Sequence, residues 1–323
     1  MEQVTVVIPN YNGIKFLKGC LDALLSQQEA PEFCVCVVDN GSTDGSLELL
    51  QEYSQVEVLA LPENTGFCHA VNLGIQHSRA PYVLLLNNDT QVEPGFVKQL
   101  YDSIESREDA FSVSAKMLMW DDPSLLDDAG DRYCALGWAY ARGKGRPAAQ
   151  YDKACRVFSA CGGAAIYRRS VFERIGLFDE AHFAYLEDLD IGYRARIYGY
   201  HNYYEPGAAV IHYGSASSGS RYNAWKTSLA SANSVYVICK NMPLLQKLLN
   251  LPFFLVGFSL KALFFAKKGF GGLYVKGLLQ GIQKSCSKSG RAAKVPFLAK
   301  NIKNYFSIQI ELWCNLVRFL KKN

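Results

Sequence analysis

Short apolar runs alternate with amphipathic segments along the first part of this chain. Five runs are β-branched or leucine-rich and are predicted to be buried strands: residues 4–9, 33–39, 56–61, 82–87 and 111–119. Helical spacing of apolar residues and capping residues predict four helices between them: residues 14–28, 45–53, 66–78 and 94–107. This order predicts an α/β fold with a mostly parallel sheet and right-handed crossovers.

Residues 120–160 lose this alternation. They are predicted to form a long, partly mobile loop that covers the ligand-binding site. Regular structure is predicted again for a strand over 159–168, a helix near 187–198 and a short strand over 208–212.

The last part of the chain is both apolar and basic. Residues 1–239 hold 19 Lys/Arg and 29 Asp/Glu, a net charge of −10, whereas residues 240–323 hold 15 Lys/Arg and one acid, a net charge of +14. Residues 251–265 are strongly apolar, but these 15 residues are fewer than the ~20 that cross a bilayer. We therefore predict a body over 1–239 and a basic, apolar helical extension over 240–323 on an anionic membrane surface. The alternative is a helical subdomain that packs on the core or on a second subunit.

Ten cysteines are spread along the chain without a paired framework. Cys34 and Cys36 lie two residues apart on a predicted strand, which indicates small core residues and not a redox or zinc pair. Met1-Glu2-Gln3 leads directly into a strand, so no signal peptide is expected. A reduced, cytoplasmic environment fits this composition best.

Acidic residues follow two of the predicted strands. Asp39 ends the second strand, and Asp89 follows the fourth in Asn87-Asn88-Asp89. Open α/β sheets bind ligands at the carboxyl ends of their strands, so these acids predict a site for a phosphate-bearing ligand, a nucleotide with a divalent metal. Asp39 can accept a hydrogen bond from the imide N–H of uracil or thymine or from a ribose hydroxyl, although a capped turn better explains it in isolation. Asp89 alone can anchor Mg²⁺, which leaves its other positions to phosphate and water.

Two glycine- or amide-rich segments are further candidates. Pro9, Tyr11 and Asn12 lie in a turn that can stack on and hydrogen-bond a flat heterocycle, although Pro and Asn also simply end strands. Gly66 begins a helix whose unpaired N–H groups can meet an anion, with an ordinary N-cap as the alternative.

Later acids and a histidine provide candidates for chemistry. One carboxylate of Glu187-Asp188-Leu189-Asp190 is a candidate general base, although the helix dipole alone favours acids in a first turn. Asp190 and Arg194 are four apart and can form a structural helix pair. His212 ends an apolar strand; beside a carboxylate it becomes a candidate ligand for Mg²⁺ or Mn²⁺, although a lone histidine is more often structural.

Taken in order, six segments resemble the inverting nucleotide-sugar glycosyltransferases of family 2, which have the GT-A fold. The segments span residues 4–217: VVIPNYNG, VVDNGSTDGS, PENTGFCHAVNLGI, YVLLLNNDT, SACGGAAIYRRSVFERIGLFDEAHFAYLEDLDIGYRARIYGY and AAVIHYGSAS. The long fifth segment most resembles the rhamnosyltransferase-like branch, which includes other polysaccharide-assembly enzymes. The resemblance implies a GT-A domain over 1–239, a Rossmann-like, mostly parallel sheet flanked by helices, with the C-terminal helical extension on the membrane.

The resemblance also implies roles for particular residues. Asp89 would hold the divalent metal as the last acid of the DXD-type motif, and His212 gains importance because Asn87 replaces the first acid. Asp188 matches the catalytic base, and Glu187 would support it or contact the acceptor. Seven residues would bind or shape the donor pocket: Pro9, Tyr11, Asn12, Asp39, Gly66, Asn72 and Asn88. The implied reaction is a single in-line displacement that inverts the sugar.

The resemblance leaves the substrates open. dTDP-rhamnose is the first choice of donor, and a UDP-sugar transferase (galactofuranosyl, glucosyl or similar) is the alternative. The acceptor is expected to be a lipid-linked glycan or a growing surface polysaccharide. The expected location is the cytoplasmic face of the cell membrane, and a homo-oligomer is a further option.

Rival functions are less well supported by the sequence. A sugar nucleotidyltransferase needs a glycine-rich, basic loop where this chain has Pro-Asn-Tyr-Asn-Gly, and the absence of a QxxRW motif argues against a processive synthase. A non-catalytic membrane-attached partner would be expected to lose Asp89, Asp188 or His212, yet all three are present. Nucleic acid is not expected as a partner, because the aromatic residues of the extension lie within apolar runs.

Overall fold

The computed structural model describes residues 2–214 and 222–321, so the last three residues of the sixth segment, 215–217, lie outside the described part. Twelve strands are described: β1 (Val4–Asn10), β2 (Phe33–Asn40), β3 (Val56–Leu61), β4 (Tyr82–Leu86), β5 (Thr90–Val92), β6 (Ala110–Met119), β7 (Leu126–Asp128), β8 (Asp131–Cys134), β9 (Trp138–Ala141), β10 (Cys155–Val157), β11 (Ala164–Arg168) and β12 (His201–His212). Eleven α-helices are described: α1 (Ile14–Leu25), α2 (Ser46–Leu50), α3 (Phe67–His77), α4 (Phe96–Glu105), α5 (Arg169–Ile175), α6 (Glu187–Ile197), α7 (Ala224–Asn241), α8 (Leu244–Lys267), α9 (Gly271–Cys286), α10 (Lys288–Ala292) and α11 (Ile302–Leu320).

One mixed sheet forms the centre of the molecule, with strand order β10-β12-β6-β11-β4-β1-β2-β3. The pairs β4–β1, β1–β2 and β2–β3 are parallel, as the alternation of strands and helices predicts. β6 does not continue this parallel set directly, because β11 lies antiparallel between β4 and β6. β6 therefore points the same way as β4, and β12 pairs with it in parallel. The predicted α/β class is confirmed, with β11 as an antiparallel insertion that the pattern did not reveal.

The sheet is buried on both faces. Ile8 on one face packs in a cluster with Leu21 of α1, and Val7 on the other packs in a cluster with Val71 of α3. Burying each such side chain is worth about 1.5–3 kcal/mol, so both helices are held firmly against β1. As a result, the carboxyl ends of β1, β2 and β4 lie side by side at one edge of the sheet.

The segment over 120–160 is more regular than expected. It contains β7, β8, β9 and β10, of which β7 pairs with β6, and β8 pairs with β9 in a separate two-stranded sheet. Strand β12 is longer than the predicted 208–212 and begins at His201. Its pairing with β6 shifts register between Glu205 and Ala209, which interrupts the apolar alternation and hides the first half of the strand from the sequence pattern.

The C-terminal helices share a core with the rest of the protein. Val237 of α7, Phe254 of α8 and Leu312 of α11 pack in one cluster with Tyr133 and Tyr193. The predicted boundary between residues 239 and 240 falls within α7. The division into two parts stays a prediction.

Of the described helices, only α8 is long and apolar enough to cross a membrane, judged by length and composition. Its 24 residues exceed the 15-residue apolar run because the flanking residues on both sides remain helical, and Pro252 lies within the helix. Only 17% of its most apolar window is buried. The placement of this extension on a membrane surface stays a prediction.

Candidate active site

A cleft of about 900 Å³ opens at the carboxyl ends of the parallel strands. This volume lies within the usual range for small-molecule sites. The cleft brings together seven of the residues that the sequence predicts for the site: Pro9, Tyr11, Asn88, Asp89, Glu187, Asp188 and His212. They come from the end of β1 and the turn after it, the segment after β4, the start of α6 and the end of β12. A cavity therefore lies at the carboxyl ends of the strands, where the sequence predicts a ligand site.

Asp89 and His212 meet because β12 pairs with β5. In that antiparallel pair His212 lies opposite Thr90, next to Asp89. His212 Nε2 is 3.4 Å from Asp89 Oδ1, and Asp89 is nearly buried. The backbone continues the contact, since Tyr213 N–H donates to the Asp89 carbonyl at 3.0 Å.

Asp127, which the sequence pattern missed, holds the other side of the His212 ring. Its Oδ2 is 2.8 Å from His212 Nδ1, and Lys144 pairs with its second oxygen. Burial alone would lower the pKa of His212, but hydrogen bonds with Asp127 and Asp89 outweigh it and raise the pKa to about 9. Burial alone would raise the pKa of Asp127, but His212 and Lys144 lower it to about 2. A carboxylate on the far nitrogen fixes the ring with Nε2 toward Asp89.

The Asp89–His212 pair fits a divalent cation. A carboxylate oxygen and an imidazole nitrogen face each other on the cleft wall, and Asp127 supplies the outer carboxylate that metal-binding histidines usually have. No group of three or more His, Cys, Asp or Glu residues that could hold a metal occurs among residues 2–214 and 222–321. Two protein ligands are nevertheless enough for Mg²⁺, which takes its remaining ligands from phosphate and water.

Asp39 does not line the cleft. It is fully buried at the end of β2, where its Oδ1 accepts from Asn10 Nδ2 at 2.8 Å and its Oδ2 accepts from Ser42 N–H at 3.0 Å. Asn10 in turn accepts from Asn88 Nδ2 at 2.6 Å, and both amides line the cleft. Asp39 thus orients Asn10, a residue present in the VVIPNYNG segment but not singled out there. A direct contact between Asp39 and the donor stays a prediction.

Three other residues that were predicted to bind the sugar donor do not line the cleft but support the segments around it. Asn12 is exposed and ties two loops together, since its Oδ1 accepts from Thr43 N–H at 2.8 Å. Gly66 has φ +91°, and a Cβ there would lie 2.7 Å from the Phe183 ring, so only glycine fits. Asn72 is buried, accepts from Phe178 N–H at 3.0 Å and donates to its carbonyl at 2.8 Å. Gly66 and Asn72 therefore hold the segment that leads to the acidic pair of α6.

Glu187 and Asp188 begin α6 and carry unusual carboxyl groups. One oxygen of each, Glu187 Oε2 and Asp188 Oδ1, is buried and has no hydrogen-bond partner among the described residues. Burial and the charge of Glu187 raise the pKa of Asp188 well above its usual range. Burial and the charge of Asp131 raise the pKa of Glu187 to about 7. A Cβ at Gly162 would collide with the Asp188 carboxylate, so bare backbone is needed beside it.

Asp128 and Asp131 extend this acidic group, and the sequence pattern missed both. Burial and the charge of Asp188 raise the pKa of Asp131 to about 7, and burial and Asp131 raise the pKa of Asp128. Both lie at the β7–β8 connection, within the segment without periodicity. Burial and mutual repulsion therefore raise the pKa of all four neighbouring carboxyl groups.

We expect Glu187→Gln to stabilise the fold at pH 8 more than at pH 5. The pKa of Glu187 rises from 4.5 to about 7 on folding, so its favourable contribution is complete below pH 4.5 and is lost as the pH rises through 7. Gln stays neutral, so the variant should gain on the order of 2 kcal/mol at pH 8. Urea unfolding of both proteins at pH 5 and pH 8 measures the difference in the free energy of unfolding. The same difference at the two pH values would contradict a raised pKa of Glu187 in the folded protein.

The loop before the acidic pair is held by the C-terminal helices. Phe183, Tyr185 and Leu186 all have positive φ, between 62° and 67°, which is strained for residues other than glycine. The buried Asn233 of α7 donates to the carbonyls of His182, Ala184 and Tyr185 at 2.9–3.0 Å. Lys284 of α9 donates to Asn233 Oδ1 at 2.9 Å and also reaches the Ala181 carbonyl. Asn233 of the body and Lys284 of the extension therefore together fix the loop that leads to Glu187 and Asp188.

Asp190 has a structural role. It bonds Arg194 at 3.0 Å, Lys240 at 2.8 Å and Asn241 at 2.7 Å, all in a buried setting. Burial alone would raise its pKa, but Lys240 and Arg194 lower it far below its usual range. The predicted pairing of Asp190 with Arg194 is present. This leaves Glu187 and Asp188 as the acids of this motif that face the cleft.

Comparisons with known proteins agree with this architecture. Residues 5–176 match the sequence profile of a protein family that is described as Glycosyl transferase family 2. The N-acetylglucosaminyl-diphospho-decaprenol L-rhamnosyltransferase of Mycobacterium tuberculosis is 30% identical over 247 residues, which cover 68% of this chain and 78% of that protein.

Two solved structures share the fold. Staphylococcus aureus TarS 1–349 in complex with UDP-GlcNAc is 20% identical with a TM-score of 0.60, covering 96% of this chain and 90% of that one. The mannosyltransferase PcManGT from Pyrobaculum calidifontis, in complex with GDP-Man and Mn²⁺, is 16% identical with a TM-score of 0.53, covering 96% and 84%. At these identities the likeness concerns the fold alone.

Proposed function

This chain belongs to glycosyl transferase family 2, and from that premise we propose that it moves a sugar from a nucleotide-sugar donor to a glycan acceptor with inversion of the sugar. One observation carries the proposal: a single cleft holds the Asp89–His212 pair together with the Glu187–Asp188 pair. The first pair suits a diphosphate with its cation, and the second suits a hydroxyl that must lose a proton.

Asp188 is the base in this proposal. Its unpartnered Oδ1 accepts the proton of the acceptor hydroxyl as the oxygen attacks the anomeric carbon. The nucleoside diphosphate leaves from the opposite face, so the sugar configuration inverts and no covalent enzyme intermediate forms. Glu187 supports the base through its charge, which raises the pKa of Asp188, or contacts the acceptor.

Asp89 and His212 would hold Mg²⁺ or Mn²⁺, which neutralises charge on the leaving diphosphate when bound. Tyr11 is 38% exposed and can stack on the base of the nucleotide, beside Pro9. Asn88 and Asn10 present amides to the nucleoside, and the buried Asp39 holds Asn10 in place.

The proposed donor is dTDP-rhamnose, with a UDP-sugar as the alternative. The 30% identity to an L-rhamnosyltransferase supports the first, and the complex of TarS with UDP-GlcNAc supports the second. The proposed acceptor is a lipid-linked glycan or a growing surface polysaccharide. The name of the mycobacterial relative, which specifies a diphospho-decaprenol acceptor, supports the lipid-linked form.

A donor screen tests this function. The purified full chain is mixed with Mn²⁺, a prenyl-diphosphate glycan and, in turn, dTDP-rhamnose, UDP-sugars and GDP-mannose, and release of nucleoside diphosphate is measured. We expect the fastest release from dTDP-rhamnose. Fastest release from a UDP-sugar would select the alternative donor, and no release from any donor would contradict the proposed function.

We also propose that α8, α9 and α11 place the protein on the cytoplasmic face of the cell membrane. Large apolar side chains are exposed along all three helices: Leu244, Leu248, Leu255, Leu263, Leu279, Ile282, Phe306, Ile310 and Val317. The same part of the chain carries the net charge of +14, which suits an anionic leaflet.

Charge reversal at the α8–α9 turn tests the membrane proposal. We expect Lys267→Glu with Lys268→Glu to weaken binding to vesicles of phosphatidylglycerol at least tenfold, because each exposed lysine near such a surface is worth about 1 kcal/mol. Lys15→Glu with Lys153→Glu, two exposed lysines of the body, is the matched control. Equal loss in both variants, measured by vesicle co-sedimentation, would show a non-specific charge effect and contradict the proposed surface.

A further inference from the structure

We propose that a groove in the C-terminal helices, far along the chain from the catalytic motifs, binds one hydrocarbon chain of a phosphate-bearing membrane lipid. The groove has a volume of about 620 Å³ and lies between the start of α8, the segment after α10 and the first half of α11. None of its lining residues belongs to the catalytic cleft. The proposed site is therefore additional to the one for sugar transfer.

The walls of this groove are apolar. Leu245 and Leu249 of α8 face Phe297, Tyr305 and Phe306 across it. Leu245 is 67% exposed and Phe306 is 64% exposed. Apolar side chains exposed together in this way mark an interaction surface, and a groove that they line from two helices suits a hydrocarbon chain.

The polar end of the groove carries positive charge. Arg291 and Lys294 both line it. Within residues 2–214 and 222–321, no carboxylate forms an ion pair with either one, and Glu311, the acid of the extension, pairs with Arg196 instead. Two cations beside an apolar wall match a phosphate attached to a hydrocarbon chain.

Gln246 gives independent support for a ligand. It lines the groove and is only 4% exposed. Its Oε1 accepts from Tyr193 OH at 2.6 Å, but its Nε2 has no hydrogen-bond partner among the described residues. A buried amide donor without a partner is costly, and an oxygen of the lipid phosphate or ester would satisfy it.

A membrane lipid fits better than a protein partner. A second copy of this chain would bring another extension of +14 toward the same cations, so like charges would oppose the contact. Leu244, which lines the groove, and Leu248, which does not, are both exposed at the start of α8. A lipid in an adjacent leaflet can therefore enter the groove without crossing a polar surface.

Calorimetric titration of the full chain tests this site with three probes: farnesyl phosphate, farnesol and inorganic phosphate. We expect farnesyl phosphate to bind at least tenfold more tightly than farnesol, and inorganic phosphate not to saturate the protein. Equal affinity for farnesyl phosphate and farnesol would overturn the role of the cations. Equal affinity for inorganic phosphate would make this a free-phosphate site, and binding of none of the probes would overturn the proposal altogether.

Paired variants locate the binding. Arg291→Glu with Lys294→Glu should weaken the binding of farnesyl phosphate at least tenfold. Lys300→Glu with Lys303→Glu, which changes exposed cations outside the groove, should leave this binding unchanged. Leu245→Lys should also weaken the binding of farnesyl phosphate. Leu255→Lys, at an exposed position of the same helix outside the groove, should leave it unchanged. Circular dichroism and release of nucleoside diphosphate should be unchanged in all four. Equal effects of groove and control variants would overturn the proposed location.

Discussion

Asp188→Asn is expected to lower the turnover number at least 10³-fold and to change donor affinity less than threefold. General-base catalysis contributes about 10²–10⁴ in rate, and here the Asp188 carboxylate is the one proposed to remove the acceptor proton. Asn keeps the size of the side chain and can still lie against the bare backbone at Gly162. The loss should therefore appear in kcat and not in binding.

Steady-state release of nucleoside diphosphate and equilibrium titration of the donor measure these two effects. Glu173→Gln is the control, because Glu173 is an exposed acid on α5, outside the cleft. It should leave both quantities unchanged. Retention of more than a tenth of the wild-type turnover by Asp188→Asn would remove Asp188 as the base and turn attention to Glu187.

Asp89→Asn is expected to abolish stimulation by Mn²⁺ and to lower turnover at least 10²-fold. Asp89 supplies the only carboxylate of the proposed ligand pair, and the amide that replaces it carries no charge to bind the cation. Asp127→Asn should have a smaller effect, about 10–100-fold on Mn²⁺ affinity, because Asp127 acts only through the His212 ring.

Electron paramagnetic resonance of free Mn²⁺ measures the affinity directly. The expected order of affinity is wild type, then Asp127→Asn, then Asp89→Asn. Asp109→Asn, a partly exposed acid outside the cleft, is the control and should bind Mn²⁺ like the wild type. Wild-type affinity in Asp89→Asn would contradict the proposed metal site.

The sequence predicted the centre of the fold well because strand and helix periods are strong there. β1, β2 and β4 are parallel and mostly buried, so each appears as an apolar run that ends in polar residues. That regularity also located Asp89 at the cleft, and the family resemblance located Asp188 and His212 there. The insertion of β11 between β4 and β6 could not be predicted, because it depends on pairing between distant segments.

The features of the site that the sequence pattern did not reveal have a common physical origin. Asp39 has the right position along its strand, but its carboxylate turns inward onto Asn10 and Ser42, which no local pattern reveals. Asp127 and Asp131 lie in short strands without a clear period, although the acidic residues before Gly130 are a visible signal. The loop before Glu187 is held by long-range contacts of Asn233 in α7 and Lys284 in α9, and these contacts were equally hidden.

The anomeric configuration of the transferred sugar tests the central claim most directly. Once the donor screen identifies a substrate, the product is isolated at low conversion, and the one-bond carbon–hydrogen coupling at the anomeric carbon is measured by NMR. A single displacement assisted by Asp188 predicts the configuration opposite to that of the donor. Retention of the donor configuration would contradict it, because retention requires either two displacements or attack from the same face.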